Sequence, residues 1–376
     1  MKLLIKSPNW IGDSVMATPA VMYLRRAFPE AEIAMISRRS TAGVWDGHPG
    51  IDRLIVGDDR TAARELREVV RSHRFEAAVL FPNSFRSAWL IWQCGIPRRF
   101  GYARGARSWL LTDIVVYRPQ EWQTPTPQPV SKKSLRESKS LPREQPRHMV
   151  EYYLELASYV ARQLGSDIVP PVVTRESALP PLVLPVQSQA LEVVEKLITE
   201  EGVTSIPLIA IHPGAAYGNA KRWPLDRLAV AADRLADELD AAIVVTAGPS
   251  EAELCAELVR MLRARVLNWG PRLNIPQLVA LLSRSTLFIG NDSGVTHLAA
   301  AVGCPTIAVF GPMDWNVTCP WSANAVVVRR SPPCAPCFLR ECPLNHECMT
   351  AVTPDDVIAA ARTLLSRQQG ERNERA

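Results

Sequence analysis

The sequence lacks the patterns that identify membrane-spanning and secreted proteins. No run of about 20 apolar residues occurs anywhere in its 376 residues. The opening segment, MKLLIKSPNWIGD, has one Lys before a very short apolar run and no small-residue cleavage site, so it predicts a first β-strand and not a signal peptide. We therefore expect a cytoplasmic protein that touches a membrane, if at all, only at its surface.

The sequence also lacks a strong excess of charge of one sign and a typical dinucleotide-binding motif. The formal net charge is only +5, although arginine is dense in the N-terminal half, as at Arg98, Arg99, Arg104 and Arg107. This modest bias suits an anionic partner, but solvated charge explains it equally well, and we expect no nucleic-acid partner. No Gly-x-Gly-x-x-Gly follows a predicted strand, which disfavours an NAD-dependent oxidoreductase.

Hydrophobic patterning predicts an α/β protein. Short apolar runs alternate with segments of helical periodicity between residues 3 and 81, and again between residues 188 and 310. Such alternation is typical of βα units around a parallel sheet. A last helix is predicted over residues 354–365, where Thr353 and Pro354 form a favourable start.

Two segments of biased composition divide the chain. Residues 120–147 are rich in Pro, Ser, Lys and Gln without periodicity, which predicts a flexible loop inside the first domain. A proline-rich stretch ending at Pro185 predicts a linker. We therefore assign domains to residues 1–185 and 186–367, followed by a frayed polar tail at 368–376. Two α/β halves joined in this way leave a cleft between them, which is the default ligand site.

A strand–turn–helix segment of the second domain, Phe288-Ile-Gly-Asn-Asp-Ser-Gly-Val-Thr-His-Leu, predicts an anion site. The N–H groups and the dipole at a helix start attract negative charge, so a pyrophosphate would approach Ser293 and Gly294. Asp292 and His297 would flank it. The alternative for Asp292 is that it only caps the helix.

A second turn, His212-Pro-Gly-Ala-Ala-Tyr-Gly-Asn-Ala-Lys-Arg-Trp-Pro, also leaves a predicted strand and enters a helix. It places Lys221 and Arg222 in a loop of small residues. The simpler explanation is that each of these cations is a solvated side chain of the loop. We favour phosphate binding because both turns follow strands of one sheet and therefore lie at the same edge.

A third turn, Trp10-Ile-Gly-Asp-Ser, follows the first strand. The backbone turns at Gly12 and presents Asp13 to the predicted cleft. A carboxylate there could act as a general base toward a hydroxyl held by the first domain. An ordinary N-cap role for Asp13 is the alternative.

Together these segments resemble glycosyltransferase family 9, the ADP-heptose:lipopolysaccharide heptosyltransferases, and most closely their heptosyltransferase II branch. The resemblance runs from Leu3 to about Leu365 and is strongest over residues 290–301 and 303–312. Gly12-Asp13, followed by Pro19 and Leu24-Arg25, is similarly typical of the family.

The resemblance implies the GT-B fold, with two Rossmann-like domains that bind the acceptor in the first and the donor nucleotide in the second. It implies inverting, metal-independent transfer of L-glycero-D-manno-heptose from ADP-heptose to the inner core of lipopolysaccharide at the cytoplasmic membrane surface. The reaction expected is addition of the second heptose onto heptosyl-Kdo2-lipid A. No cofactor is expected.

The resemblance also implies roles for single residues. Asp13 would be the catalytic base, while Lys221 and the amides of Ser293 and Gly294 would stabilise the departing pyrophosphate, a role that a divalent metal plays in some other glycosyltransferases. In agreement, the sequence holds no Asp-x-Asp pair of the metal-binding type.

Four further positions match the family. Glu251 would bind the ribose, Leu273 would pack against the adenine, and Asp292 would lie near the donor sugar. Lys6 is the best match for a basic residue on the acceptor side.

Four of the eight cysteines are clustered at Cys334, Cys337, Cys342 and Cys348, with His346 among them. Their number and spacing suit a structural zinc ion, while reduced thiols or a partial disulfide are the alternatives. We expect no catalytic metal.

Two other classes of protein share a two-lobed α/β architecture. A nucleotide-sugar epimerase would not need Asp13 to face an acceptor. A non-catalytic two-lobed protein that closes on a small anion is the second alternative, but such proteins are usually exported.

Overall fold

The structure is a computed structural model that describes residues 1–57, 63–115, 148–168 and 181–375. These residues form two compact units, the first within Met1–Gln120 and Pro146–Pro185 and the second from Val186 onward. The flexible loop predicted at 120–147 lies outside the described residues. None of the helices described is both long and apolar enough to cross a membrane.

The first unit is a parallel six-stranded sheet in the order β3-β2-β1-β4-β5-β6, with helices between its strands. Its strands are short apolar runs, and Leu3, Leu4 and Ile5 of β1 are completely buried, as expected where helices cover both faces of a parallel sheet. The elements are β1 (Lys2–Lys6), α1 (Ile11–Met16), α2 (Thr18–Ala27), β2 (Glu32–Ser37), α3 (Arg39–Ala42), β3 (Arg53–Val56), α4 (Ala63–His73), β4 (Ala77–Leu80), α5 (Phe85–Gln93), β5 (Arg98–Tyr102), β6 (Asp113–Val115) and α6 (Met149–Gln163).

The second unit repeats this architecture with a parallel sheet in the order β12-β11-β10-β7-β8-β9. Its elements are α7 (Ser188–Glu200), β7 (Leu208–His212), α8 (Leu225–Leu239), β8 (Ala242–Thr246), α9 (Ala252–Met261), β9 (Val266–Gly270), α10 (Ile275–Arg284), β10 (Leu287–Asn291), α11 (Gly294–Ala301), β11 (Thr306–Phe310), α12 (Trp315–Thr318), β12 (Ala325–Arg329), α13 (Glu347–Thr350) and α14 (Pro354–Arg375).

Each sheet reverses its strand order once. In the first unit the chain builds β1, β2 and β3 in one direction and then returns to place β4 on the other side of β1. In the second unit β10 takes the same position beside β7. The loops leaving two neighbouring strands then diverge at their carboxyl ends and form a crevice, which is where ligands bind in open α/β sheets.

The predicted α/β class and the two Rossmann-like domains of the GT-B fold are confirmed. Sequence periodicity missed β5 and β12, which are rich in arginine at one end, and it ended the last helix at Leu365. In the structure α14 continues to Arg375, in agreement with the good helix propensity of Arg, Gln and Glu.

Candidate functional site

The reversal point of the second sheet brings two distant loops together. Lys221 ends a short 3-10 turn in the loop after β7, and Asp292 follows β10 directly. The Lys221 Nζ lies 2.7 Å from Asp292 Oδ2 and donates to the Asp292 carbonyl oxygen at 3.4 Å. The predicted convergence of the two turns at one edge of the sheet is therefore present in the structure.

Asn291, the last residue of β10, fixes the position of the lysine loop. Its amide Nδ2 donates to the Pro213 carbonyl at 2.8 Å, and its Oδ1 accepts from the Trp223 backbone N–H at 3.0 Å. The two bonds hold the start and the end of the loop that carries Lys221. Sequence reasoning missed Asn291 because nothing in its neighbourhood shows that its side chain turns toward a loop that precedes it by almost 70 residues.

The ion pair between Lys221 and Asp292 is nearly buried, with 11% and 6% of the two side chains exposed. Burial raises the pKa of Asp292 above its ordinary value, and the charge of Lys221 offsets only part of this effect. Removing one partner from such a pair leaves the other charge buried without compensation, which is strongly unfavourable.

The amino terminus of α11 lies immediately beside this pair. Ser293 occupies the N-cap position and Gly294 is the first helical residue, so Asp292 does not cap the helix and that alternative is wrong. The N–H groups of a helix's first turn have no acceptor within the helix, and the helix dipole adds partial positive charge there. A lysine and a helix amino terminus thus meet at one point.

His297 faces the same region from the first turn of α11. Burial, with a smaller contribution from the charge of Lys221, lowers its pKa to about 4, so its imidazole is neutral near pH 7. Its Nδ1 is buried and has no hydrogen-bond partner in the described part of the chain. The imidazole therefore offers an unused polar atom beside the lysine.

Glu251 begins α9 after β8 and links two loops of this edge. Its Oε2 accepts from the Gly248 backbone N–H at 3.1 Å and lies 3.4 Å from His212 Nε2. A Cβ at Gly214 would lie 2.2 Å from the Glu251 carboxylate, so only glycine permits this approach. Burial alone would raise the pKa of Glu251, but contact with His212 prevails and lowers it to about 2.

The second carboxylate oxygen of Glu251 has unused capacity. Arg222 Nη2 lies 3.7 Å from Oε1, too far for a hydrogen bond, and among the described residues this buried oxygen has no hydrogen-bond donor. A buried acceptor without a donor is costly, so the position suits a hydroxyl supplied by a ligand. Leu273, at the end of the turn after β9, is half-buried beside the core of the second unit.

The reversal point of the first sheet holds a different constellation. Asp13 is the third residue of α1 and Trp10 occupies the N-cap position, so the N-cap alternative for Asp13 is wrong. The hydroxyl of Tyr153, from α6, lies near the Asp13 carboxylate. Burial, followed by the negative charge of Asp13, raises the pKa of Tyr153 well above its ordinary value, which keeps the phenol protonated.

Tyr153 connects the two loops of this reversal point. Its ring meets Phe81, the residue after β4, edge-to-face at a centroid distance of 5.2 Å. The sequence placed Tyr153 on a helix but gave no reason to separate it from core aromatics. Lys6 is the last residue of β1 and is 1% exposed, so it belongs to the same edge but lies deep within it.

The four clustered cysteines are free thiols. Burial raises the pKa of Cys334, Cys337 and Cys348, and neighbouring cysteines of the cluster add to the effect. Within the described residues no group of three or more His, Cys, Asp or Glu side chains is arranged to hold a metal ion. The structure therefore gives the zinc alternative no support.

Comparisons with known proteins point to one family. The family model of glycosyltransferase family 9 (heptosyltransferase) matches residues 63–347. Lipopolysaccharide heptosyltransferase 2 of Escherichia coli (strain K12) is 26% identical over 98% of this chain and 100% of its own length. Lipooligosaccharide heptosyltransferase 2 of Campylobacter jejuni is 25% identical over 97% of this chain and 98% of its own length.

A solved structure agrees with these relatives. The structure of Escherichia coli ADP-heptose lipopolysaccharide heptosyltransferase II superimposes with a TM-score of 0.75 at 26% identity, covering 98% of this chain and 100% of that one. The similarity therefore spans both α/β units.

Proposed function

This chain belongs to glycosyltransferase family 9, the heptosyltransferases, and we propose that it transfers L-glycero-D-manno-heptose from ADP-heptose to the inner core of lipopolysaccharide. The names of its full-length relatives support this donor and acceptor class. Within that class we propose addition of the second heptose, onto heptosyl-Kdo2-lipid A at the cytoplasmic surface of the membrane. The observation that carries the proposal is the meeting of Lys221 with the amino terminus of α11 at the reversal point of the second sheet.

The second unit would bind the donor. The pyrophosphate would lie between Lys221 and the N–H groups of Ser293 and Gly294, where positive charge is concentrated. Glu251 would accept a ribose hydroxyl through its unused Oε1, and Leu273 would pack against the adenine. Asp292 would lie beside the donor sugar, and His297 would flank the pyrophosphate.

Catalysis on this side is electrostatic. When the bond between the anomeric carbon and the pyrophosphate breaks, negative charge develops on the leaving oxygen. The ammonium of Lys221 and the α11 amides are fixed before the reaction, so they stabilise that charge without reorganisation. Two features therefore perform the task that a divalent metal performs elsewhere, and we propose that the enzyme needs no metal.

The first unit would supply the base. Asp13 removes the proton from an acceptor hydroxyl, whose oxygen attacks the anomeric carbon from the face opposite the departing ADP, so the configuration inverts. A hydrogen bond from the nearby hydroxyl of Tyr153 would orient the carboxylate. Lys6 would add positive charge on the acceptor side, where the inner core carries anionic groups.

We favour transfer over the two alternatives for a specific reason. An epimerase has no acceptor to deprotonate and a binding protein has no chemistry to perform, so neither needs Asp13 to face an acceptor. Turnover of the donor without any acceptor would support an epimerase instead.

Calorimetric titration of the protein with ADP and with UDP, in the presence of a chelator, tests the donor. Tight binding of ADP and weak binding of UDP are the expected results. A preference for UDP would contradict the ADP-heptose assignment, and binding of neither would contradict the donor site. Transfer of heptose to heptosyl-Kdo2-lipid A, followed by mass spectrometry, then tests the acceptor.

A further inference from the structure

Helix α5 of the first unit carries aromatic side chains on its solvent side. Phe85, Trp89 and Trp92 are spaced four and three residues apart, so they share one face of the helix. Trp109, on the short 3-10 helix Ser108–Leu110, lies beside them and is 62% exposed. We call these four residues the aromatic patch.

The members of the aromatic patch contact one another. The ring centroids of Trp89 and Trp92 are 4.9 Å apart, and Trp109 lies 6.1 Å from Trp89 and 6.4 Å from Trp92. Phe85 completes the group at 6.0 Å from both Trp89 and Trp109. The four rings form one continuous surface.

The opposite side of α5 packs in the hydrophobic core. Ala88, Leu90 and Ile91 are buried in the hydrophobic cluster of the first unit. A surface helix normally turns polar residues to water, whereas α5 is apolar on both sides. Packing within the unit explains only the buried side, and a contiguous exposed aromatic surface is typical of an interaction site.

Positive charge surrounds the aromatic patch. Arg86 is exposed on α5 itself. Arg71 donates twice to the carbonyl of Gln93, next to Trp92, at 3.2 and 2.6 Å. Arg99 donates to the carbonyl of Leu110, next to Trp109, at 2.7 Å. These acceptors are uncharged, so the contacts leave the guanidinium charges available.

Negative charge is scarce in the same stretch of chain. Residues 84–115 contain five arginines, of which Arg107 is completely buried, and a single acidic residue, Asp113. That carboxylate pairs with Arg98, at 2.6 Å. The surface is therefore aromatic at its centre and basic at its edge.

This combination matches the surface of an anionic lipid bilayer. Tryptophan rings partition to the level of the headgroups, where an apolar ring and a polar N–H are both satisfied, and arginine is attracted to anionic headgroups. We propose that the aromatic patch inserts into the interfacial layer of an anionic phospholipid membrane and docks the first unit there. This inference does not depend on the donor, so it can fail while the proposed function stands.

A second copy of the chain fits the patch less well. Four half-exposed aromatic side chains offer roughly 400 Å², about half of the ~800 Å² that each partner buries in a stable interface. Arginines facing their own copies across a symmetric interface would also repel each other. A bilayer requires neither the larger area nor a complementary carboxylate.

Co-sedimentation with vesicles tests the proposal on the full chain. We expect binding to vesicles of phosphatidylglycerol and phosphatidylcholine that exceeds binding to pure phosphatidylcholine and weakens with salt. The triple variant Trp89→Gln, Trp92→Gln, Trp109→Gln should lower the partition coefficient by at least about tenfold, and Trp109→Gln alone by about threefold. Arg86→Gln should lower binding about fivefold on the anionic vesicles only.

A matched control distinguishes this site from general hydrophobicity. Val230, Met261 and Leu344 of the second unit are exposed by 48%, 40% and 56%, much like the tryptophans. Their triple replacement by Gln should leave vesicle binding unchanged. Circular dichroism shows whether each variant is folded, and the single Trp109 variant remains informative if the triple one is not.

Three results would overturn the proposal. The wild-type chain could fail to bind anionic vesicles, the aromatic variants could bind as well as the wild type, or the control variant could lose as much binding. A wild-type dimer that the tryptophan replacements dissociate, without vesicle binding by either form, would assign the patch to self-association.

Discussion

The two reversal points of this protein share a topology and differ in chemistry. In each sheet the first strand is flanked by a strand that the chain adds after turning back, and the functional candidates lie on the loops that leave this pair. The first unit presents one carboxylate, Asp13, beside the neutral phenol of Tyr153. The second presents the ion pair of Lys221 and Asp292 beside a helix amino terminus. The fold thus decides where a site can form, and the side chains decide what it does.

In our proposal, the two reversal points differ in charge because they perform different tasks. A proton acceptor needs a carboxylate in a suitable orientation, and a phenol beside it can provide orientation without adding charge. A pyrophosphate site needs concentrated positive charge, which requires a counter-ion such as Asp292 while the site is empty. If the assignment is right, substitutions at the first reversal point should change the chemical step, and substitutions at the second should change donor binding.

The largest expected effect is at Asp13. Asp13→Asn should lower turnover by roughly 100-fold or more, since the base is removed, while the affinity for ADP stays unchanged. Steady-state kinetics with saturating donor and calorimetry with ADP measure the two quantities. Glu30→Gln, at an exposed carboxylate of the same unit, is the control. A variant that retains most of its activity would refute Asp13 as the base.

Lys221 should show the complementary behaviour. Lys221→Ala should weaken ADP binding on the order of 50-fold and lower turnover as well, because it removes a charge-assisted contact with the pyrophosphate. The control is Lys196→Ala, at an exposed lysine of α7. The double variant Lys221→Ala, Asp292→Asn also removes the uncompensated buried carboxylate. If its affinity for ADP equals that of the wild type, the pyrophosphate role is rejected.

Two buried histidines, one from each unit, allow the comparison to be extended to stability. Burial lowers the pKa of both His48 and His297 to about 4. The unfolded chain takes up these protons near pH 6.5 and the folded chain only near pH 4, so the unfolded state binds more protons between these values. Stability should therefore fall as the pH is lowered through this window, by about 2 kcal/mol per histidine at pH 5.

Replacing each histidine by asparagine tests this expectation. His48→Asn and His297→Asn should each reduce the loss of unfolding free energy between pH 7.5 and pH 5, as measured by urea denaturation. His73→Asn, at a partly exposed histidine of α4, is the control. If a variant shows the same pH dependence of the unfolding free energy as the wild type, the expectation is wrong for that histidine.

The smallest expected effect is at Tyr153, which we regard as a positioning residue. Tyr153→Phe keeps the ring contact with Phe81 and removes only the hydroxyl near Asp13. If that hydroxyl donates to the carboxylate, as we propose, turnover should fall about fivefold without a change in ADP affinity. The acidic limb of the pH–rate profile should move to higher pH, because the lost bond favoured the charged carboxylate. Tyr23→Phe, which loses a bond to the Ile168 carbonyl, is the control. An unshifted profile would assign Tyr153 a purely structural role.

Much of the fold could be predicted because its signals are local. The apolar runs of β1 and β7 and the strand–turn–helix segment around Gly294 are each visible within about a dozen residues. The elements that were missed have mixed signals: α5 is apolar on both sides, and β5 opens with Arg98 and Arg99. These residues are stabilised by contacts with distant parts of the unit, and a short window of sequence does not contain that information.

The residues of the candidate site likewise divide into those that local sequence signals identify and those that only the structure shows. Asp13, Lys221, Ser293 and Gly294 stand out because their turns follow predicted strands. Asn291 and Tyr153 do not, since each acts on a partner that is remote in the chain. Glu251 was predicted for the ribose, but its contact with His212 and its close approach to Gly214 appear only in the structure.

The sequence by itself determined that this protein has two α/β units and that turns with glycine and charged residues follow their strands, because strand and helix periodicity is set by neighbouring residues. Only the tertiary structure decided which side chains meet. Asp13 reaches Tyr153, and Lys221 reaches Asp292 across 71 positions of the sequence. The first pair meets because α1 packs against α6. The second meets because the sheet reverses its strand order, and the choice of neighbouring strands depends on the packing of the whole unit and not on any single segment.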